Sequence, residues 1–191
     1  VAKYAIHICR KFSPILRGIK HFLVYIMNLA YSLPLPNLLR KILYFSFKHN
    51  VSKSSSIGIG TSFYNVGKFK MSSNSVINRN CLIDNRDDIS IGKNVSISRD
   101  VSIFTMGHEI NSPFFETKTE PVTIEDYSVI FSSSLIMPGV TISKGCVILP
   151  GSVVTKSTEQ FYIYGGNPAQ KLDVRSDNLK YKIEYQYPLA M

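Results

Sequence analysis

Acidic residues are absent from the first 53 positions of this sequence, although the whole chain has 13 Asp and Glu against 22 Lys and Arg. The first 53 residues hold nine of the basic residues, so the other 138 of the 191 residues hold thirteen of each sign. The net charge of +9 therefore belongs entirely to the N-terminal segment. This segment has no recognised nucleic-acid-binding motif, and its aromatic residues are typical of a core, so we expect no nucleic-acid partner.

Cysteine is scarce, with three residues at Cys9, Cys81 and Cys146. Their spacing fits neither a metal site nor a disulfide framework. Cysteine usage of this kind is typical of a reducing compartment. We therefore expect a cytoplasmic protein without a structural metal.

Long apolar runs are also missing. Residues 22–39 carry no charge, but Asn28, Pro34 and Pro36 interrupt them, and the purely apolar stretch 22–27 is too short to cross a bilayer. The basic start and apolar middle resemble a signal peptide, although no small-residue cleavage site follows. We instead predict two amphipathic helices separated by the prolines, at about Ser13–Ser32 and Asn37–Lys48.

The clearest pattern present is a strict six-residue period between Val122 and Lys156. Every sixth residue there is aliphatic and β-branched, and the residues two positions earlier are small or medium. The aliphatic positions are Ile124, Ile130, Ile136, Ile142, Ile148 and Val154. This period fits neither a helix nor simple strand alternation. It predicts a parallel β-helix, in which three hexapeptide repeats make one triangular coil.

Weaker repeats precede this block. The predicted positions are Ile59, Asn65, Met71, Ile77 and Ile83, then, after a slip of two residues at 84–88, Ile91, Ile97 and Ile103. Fourteen repeats make nearly five coils. We predict a basic helical arm at 1–53, a mainly β domain at 54–172 with a non-repeating loop at 104–121, and a tail at 173–191.

Two roles for the arm follow from its composition. Its helices could cap the end of the β-helix or pad a subunit contact, with the basic residues solvated. Alternatively, residues 1–50 could lie on an anionic membrane surface at the inner face of the cell membrane. Basic amphipathic segments serve both roles, so the sequence leaves both open.

Chemistry is expected where the repeat is broken, because interior aliphatic residues and turns offer little reactivity. The break at 104–121 contains His108, and the other three histidines lie in the arm. The β-helix therefore lacks the histidines that a zinc site with three histidine ligands would need.

Four segments in this order resemble the hexapeptide-repeat acyltransferases, most closely the maltose, galactoside and surface-polysaccharide O-acetyltransferases. The segments are NRNCLID at 78–84, TMGHE at 105–109, the repeats from 121–124 through 138–142, and GSVVTK at 151–156 with GNPA at 166–169. The resemblance covers residues 57–172 and implies that the β-helix is left-handed. It implies acetyl transfer from acetyl-CoA to a sugar hydroxyl, in surface or capsular polysaccharide synthesis.

The resemblance also implies the site residues. His108 would be the general base and Asn78 would orient the acceptor, with Asp84, Arg86 and Glu109 as further acceptor contacts. Acetyl-CoA would lie between two prisms of a homotrimer. Its contacts would be Ser132, whose N–H would bind the oxyanion, together with Gly151, Thr155, Lys156, Lys171 and Arg175.

The acceptor remains open from sequence. A sugar, a lipid-linked oligosaccharide or a polysaccharide each fits, and the basic, apolar arm favours an acceptor at the cytoplasmic membrane face. Two alternatives stand beside O-acetylation: N-acetylation of an amino sugar, and a non-catalytic β-helix that serves assembly. No metal is expected.

Overall fold

Two helices are followed by a parallel β-helix. Its three sheets of stacked strands are called faces I, II and III. The structure, a computed structural model, describes residues 2–184, with side chains described for 14–184 except Asn37. Face I contains β1 (His49–Val51), β4 (Phe69–Met71), β7 (Ile89–Ile91), β12 (Val122–Ile124) and β15 (Thr141–Ile142). Face II contains β2 (Ser56–Ile57), β5 (Val76–Ile77), β8 (Ser96–Ile97), β13 (Val129–Ile130), β16 (Val147–Ile148), β18 (Tyr162–Gly165) and β19 (Gln170–Val174). Face III contains β3 (Ser62–Phe63), β6 (Leu82–Asp84), β9 (Ser102–Phe104), β14 (Leu135–Ile136) and β17 (Val153–Val154). A hairpin of β10 (Met106–His108) and β11 (Thr117–Thr119) interrupts the coils.

Aliphatic side chains stack in columns inside the prism. The face II column is Ile57, Ile77, Ile97, Ile130 and Ile148, each at most 2% exposed. Successive parallel strands pair in register along each face, so each column continues from one coil to the next. The predicted parallel β-helix is confirmed.

The first coil differs from the predicted repeat. Its strands begin at His49, within the segment assigned to the arm, and Phe63 and Met71 occupy equivalent inward positions eight residues apart. The prediction that Ile59 and Asn65 are strand positions is wrong. The corner between faces III and I holds two extra residues, so counting six backwards from Met71 loses the register.

Buried Asn85 stabilises this longer corner. Its Nδ2 donates to the carbonyls of Asn65 at 2.8 Å and Gly67 at 2.7 Å. Its Oδ1 accepts from the backbone N–H groups of Tyr64 and Asn65. The amide therefore supplies hydrogen-bond partners to backbone groups in this turn, where strand pairing ends. Asn85 itself lies in the equally long corner at which the sequence predicts a slip.

Two helices precede the coils. Helix α1 spans Ala2–Ser32 and continues through Pro14, so it begins earlier than the predicted Ser13. Helix α2 spans Asn37–Ser46 and ends before the predicted Lys48, which adopts a φ of +58° that is incompatible with a right-handed helix. No helix among the described residues is long and apolar enough to span a membrane.

Both helices cap the first coil. The buried Arg40 guanidinium donates to the carbonyls of Tyr31 at 3.0 Å and Ile57 at 2.7 Å, thereby linking the end of α1 to strand β2. Asn28 pairs with Phe63 through its amide, donating to the carbonyl and accepting from the N–H, both at 2.9 Å. These contacts satisfy the open strand edge, which would otherwise be a template for pairing with another chain.

His49 is buried inside this cap. Its ring is 3% exposed and lies 4.4 Å from that of Phe63, centroid to centroid. Its Nδ1 is 3.2 Å from the Tyr31 hydroxyl, and its Nε2 is 3.3 Å from the Asn65 carbonyl oxygen. Burial lowers the pKa of His49 to about 4, because the charged imidazolium is poorly solvated there.

Acid should therefore destabilise the cap. An ordinary histidine titrates near 6.5 and the folded His49 near 4, so protons between these values bind the unfolded chain preferentially. As pH falls from the higher to the lower value, this group should lower the free energy of unfolding by about 3 kcal/mol. Urea unfolding across this pH range measures the effect.

The control for this prediction is a second histidine. His49→Phe should lose this share of the pH dependence, whereas His21→Phe, at an exposed position on α1, should retain it. Identical pH dependence in the His49→Phe and wild-type chains would contradict the assignment.

Candidate active site

The break in the repeat is a β-hairpin at the corner between faces III and I. Strands β10 and β11 pair Met106 with Thr119, Gly107 with Lys118 and His108 with Thr117. The hairpin follows β9 of face III, and the chain re-enters the β-helix at β12 of face I. The insertion thus projects from a corner without disturbing the stacked strands.

His108 is exposed and oriented by the hairpin. Its Nδ1 lies 2.9 Å from the Phe115 carbonyl oxygen, and its ring stacks on the Phe115 ring at 4.3 Å with a 4° interplanar angle. A carbonyl oxygen only accepts, so Nδ1 carries the hydrogen. In the neutral ring, Nε2 then keeps a free lone pair and can act as a base.

Phe115 is a functional residue that the sequence analysis missed. It adopts a φ of +49°, which is rare for a bulky side chain. The residue supplies both the carbonyl and the ring that hold His108. The aromatic pair Phe114-Phe115 within a non-repeating segment was the available signal.

Glu109 does not contact the His108 ring through any of the hydrogen bonds found in the described part of the hairpin. Its N–H donates to the Glu116 carbonyl at 2.9 Å, and its carboxylate accepts from the Asn111 N–H at 3.4 Å. The exposed carboxylate remains accessible to an acceptor.

Asp84 and Arg86 lie at the base of the same hairpin. Both Asp84 carboxylate oxygens accept from Arg86 at 2.7 Å, and the Asp84 side chain has no exposure. Thr105, a second residue missed from sequence, donates to the Asp84 carbonyl at 2.6 Å and accepts from the Asp87 N–H. The predicted acceptor role of Asp84 is corrected, because its carboxylate is buried and occupied; the pair instead stabilises the corner that carries the hairpin.

Asn78 occupies a different corner, between faces II and III. Its Nδ2 donates to the Ile97 carbonyl at 3.0 Å, and its backbone N–H donates to the same oxygen at 2.8 Å. This arrangement leaves the exposed amide Oδ1 as an acceptor.

Ser132 and Gly151 stack on this same corner, two and three coils beyond Asn78. The Gly151 N–H donates to the Ser132 carbonyl at 2.9 Å. Within residues 14–184, the Ser132 N–H makes no hydrogen bond. Gly151 has a φ of +68° and open space where a Cβ would lie, so a ligand can approach its backbone.

The other predicted cofactor contacts are dispersed. Thr155 and Lys156 are exposed and follow β17 at the hairpin's corner. Lys171 on β19 is bound to the Glu159 carboxylate at 2.7 Å, which raises the pKa of the lysine. Arg175 donates to the Tyr127 and Gly145 carbonyls, at the corner between faces I and II. Arg175 is therefore removed from the candidate phosphate site, because it anchors the tail elsewhere.

The candidate residues consequently form two groups at opposite ends of face III. Asn78, Ser132 and Gly151 lie at the II–III corner, and His108 and Lys156 lie at the III–I corner. Strands of face III separate the groups, so one chain does not bring Asn78 and His108 together.

The described cysteines and acidic residues offer no competing chemistry. Cys81 and Cys146 are buried, and burial raises the pKa of Cys81 to about 12. Such a thiol is protonated and packed, and it is a poor nucleophile. Cys9 lies outside the described side chains. Among the residues whose side chains are described, no cluster of three or more His, Cys, Asp or Glu side chains could hold a metal.

Comparisons with known proteins find similar acetyltransferases. No protein-family model matches the chain. It is 31% identical over 142 residues to galactoside O-acetyltransferase of Escherichia coli (strain K12), covering 70% of this chain and 64% of that protein. It is 33% identical over 118 residues to chloramphenicol acetyltransferase of Klebsiella aerogenes, covering 49% and 56%. The chain thus spans less than two thirds of the length of these relatives.

Solved structures extend the comparison over most of the chain. A galactoside acetyltransferase in complex with coenzyme A has a TM-score of 0.68 and 28% identity, covering 89% of this chain and 88% of that chain. The resemblance to the hexapeptide-repeat acetyltransferases is confirmed. A hexapeptide-repeat acetyltransferase from Vibrio cholerae O1 biovar eltor, complexed with acetyl coenzyme A, has a TM-score of 0.77, 24% identity and coverage of 86% and 91%. A maltose O-acetyltransferase from Clostridium difficile 630 has a TM-score of 0.78, 23% identity and coverage of 85% and 89%. At these identities the last two show the shared fold alone.

Proposed function

We propose that this protein transfers acetyl from acetyl-CoA to a sugar hydroxyl, in the synthesis of a surface polysaccharide. The observation that carries the proposal is the hydrogen bond from His108 Nδ1 to the Phe115 carbonyl. It orients an exposed imidazole with its basic Nε2 free, which is the form that general-base catalysis needs.

The reaction would be a direct transfer. His108 Nε2 takes the proton of the acceptor hydroxyl as the oxygen attacks the thioester carbonyl carbon. The resulting oxyanion is bound by the unpaired N–H of Ser132, a contact that can lower the barrier by about 3 kcal/mol. The carbon–sulfur bond then breaks, and the imidazolium returns the proton to the departing thiolate. Buried Cys81 and Cys146 have no part in this route.

Acetyl-CoA would lie along the II–III corner toward the C-terminal coils. The open backbone at Gly151 suits the pantetheine arm, and Thr155 and Lys156 of the neighbouring copy, exposed at its III–I corner, remain candidates for the phosphates. Lys171 would have to leave Glu159 to contribute. Pro150 has no N–H, so it offers no backbone donor beside Gly151.

We further propose that the site forms between copies in a homotrimer. The hairpin of one copy would bring His108 to the Asn78 corner of its neighbour, which joins the two groups that one chain keeps apart. The hairpin tip supports this arrangement, because Ile110 and Phe114 are 79% and 82% exposed and suit a covered interface. A threefold axis closes such a head-to-tail contact.

Removal of the base should abolish turnover without unfolding the protein. His108→Ala should reduce acetyl transfer to a sugar acceptor by about a thousandfold, because the positioned imidazole that takes the hydroxyl proton is removed. Release of free CoA, followed with a thiol reagent, measures turnover, and circular dichroism checks the fold.

The matched control is His21→Ala, at an exposed position on α1. This variant should keep wild-type turnover. Near-wild-type activity of His108→Ala would remove the base assignment and favour a non-catalytic β-helix.

The arm is proposed to contact an anionic membrane at the cytoplasmic face. Its outer surface, opposite the cap contacts, presents exposed apolar side chains on both helices. They include Ile19, Phe22, Ile26 and Leu29 on α1, Leu33 just after it, and Leu38, Ile42 and Phe45 on α2. Arg17, Lys20 and Lys48 are also exposed, and no acidic residue opposes them in the arm. An apolar stripe with basic residues alone fits an anionic bilayer surface.

Vesicle sedimentation tests this contact. The full chain should bind vesicles containing phosphatidylglycerol, and should bind pure phosphatidylcholine weakly, because both apolar insertion and charge attraction contribute. Phe22→Ser with Phe45→Ser should release the protein, whereas Leu172→Ser, at an exposed apolar position on β19, should not. A change of oligomeric state in place of lost sedimentation would assign the stripe to a second copy.

A further inference from the structure

The II–III corner repeats the same turn in successive coils. Asn80, Asp100, Ser133 and Gly151 each adopt a φ between +58° and +68°. Each donates its N–H to the coil below, to the carbonyls of Ile59, Arg79, Arg99 and Ser132 in that order. These four acceptor residues therefore form a vertical column, one per coil, with neighbouring members about 5 Å apart.

Positive charge is confined to two positions of this column. Arg79 and Arg99 are exposed, whereas the positions before and after them are the neutral Ile59 and Ser132. Arg99 is 74% exposed and lies 3.5 Å from the Asp100 carboxylate. In the part of the chain with described side chains, Arg79 forms no salt bridge. Two arginines on adjacent coils thus have one carboxylate recorded against them, so their charge is only partly balanced and an added anion would complete it.

The column also indicates on which side of the oxyanion donor the acceptor would lie. Ser132 is the proposed oxyanion donor, and Gly151 lies one coil beyond it toward the C-terminus. Arg99 and Arg79 lie one and two coils from Ser132 toward the N-terminus, and Asn78 directly precedes Arg79. If acetyl-CoA occupies the Gly151 side, the acceptor occupies the arginine side.

We propose that Arg79 and Arg99 bind an anionic group on the acceptor, so that the acetylated sugar carries a phosphate or a carboxylate. Guanidinium groups pair with either anion through two parallel hydrogen bonds. The pairing would anchor the acceptor beside Asn78, with a hydroxyl directed at the His108 of the neighbouring copy. This inference rests on the proposed acetyl transfer and adds the charge of its acceptor.

Steady-state kinetics with three acceptors tests the assignment. Galactose, galactose 1-phosphate and galacturonate differ in charge and in the type of anion. The wild-type protein should prefer at least one anionic acceptor over galactose. Arg79→Gln with Arg99→Gln should raise the KM of that acceptor by about tenfold and leave kcat/KM for galactose unchanged, because only charge-assisted hydrogen bonds are removed. The preferred anion distinguishes phosphate from carboxylate.

The control removes an equivalent charge elsewhere. Lys70→Gln, at an exposed position of β4 on face I, should leave the preference intact. An equal effect from Lys70→Gln would show that the preference depends on the net charge of the protein and not on a site formed by the two arginines. A raised KM for acetyl-CoA with unchanged acceptor KM would overturn the proposal and assign the arginines to the cofactor phosphates.

Direct binding separates this inference from acetyl transfer itself. In isothermal titration, the wild-type protein should bind the preferred anionic sugar more tightly than galactose, and the double arginine variant should not. If no sugar is acetylated but this binding difference is found, the proposed reaction fails and the anion site stands. If sugars are acetylated without discrimination by charge and no binding difference is found, the anion site fails alone.

Discussion

Register between stacked coils is the constraint on which the whole structure depends. Each inward aliphatic residue packs on the equivalent residue of the coil below, as in the face II column from Ile57 to Ile148. A shift of one residue along a strand would turn that column outward and bury polar side chains instead. Extra residues are therefore accommodated at the corners. The hairpin that carries His108 and the longer turns around Asn65 and Asn85 are both placed there.

Corner insertions need partners of their own, because their backbone groups leave the strand ladder. Asn85 supplies these partners in the first coils, and Thr105 with the Asp84–Arg86 pair supplies them at the base of the hairpin. The proposed chemistry then requires the insertion to hold one imidazole in one tautomer. Phe115 does so through its carbonyl and its ring.

The sequence predicts the repeated coils well, because an Ile at every sixth position indicates a buried, inward-facing site. The prediction of strand positions fails where the number of residues in a corner changes and no clear repeat shows the change. This happens in the first coil, where Asn65 lies in a turn. Of the site, His108 and Asn78 are found from motifs and do occupy exposed positions on corners. Contacts between separate turns are not encoded in the periodicity. They determine that Asp84 is buried, that Arg175 is bonded to backbone carbonyls and that Phe115 orients His108.

The central claim is that catalysis joins His108 of one copy to Asn78 of another. Its most direct measurement is subunit complementation with co-expressed, differently tagged His108→Ala and Asn78→Ala chains, purified through both tags. Only a site with His108 from one parent and Asn78 from the other is complete, and a trimer that contains both chains has one such interface in three, so the purified mixed assembly should show about one third of wild-type acetyl transfer. Activity in the mixed assembly no higher than in either parent would contradict the account.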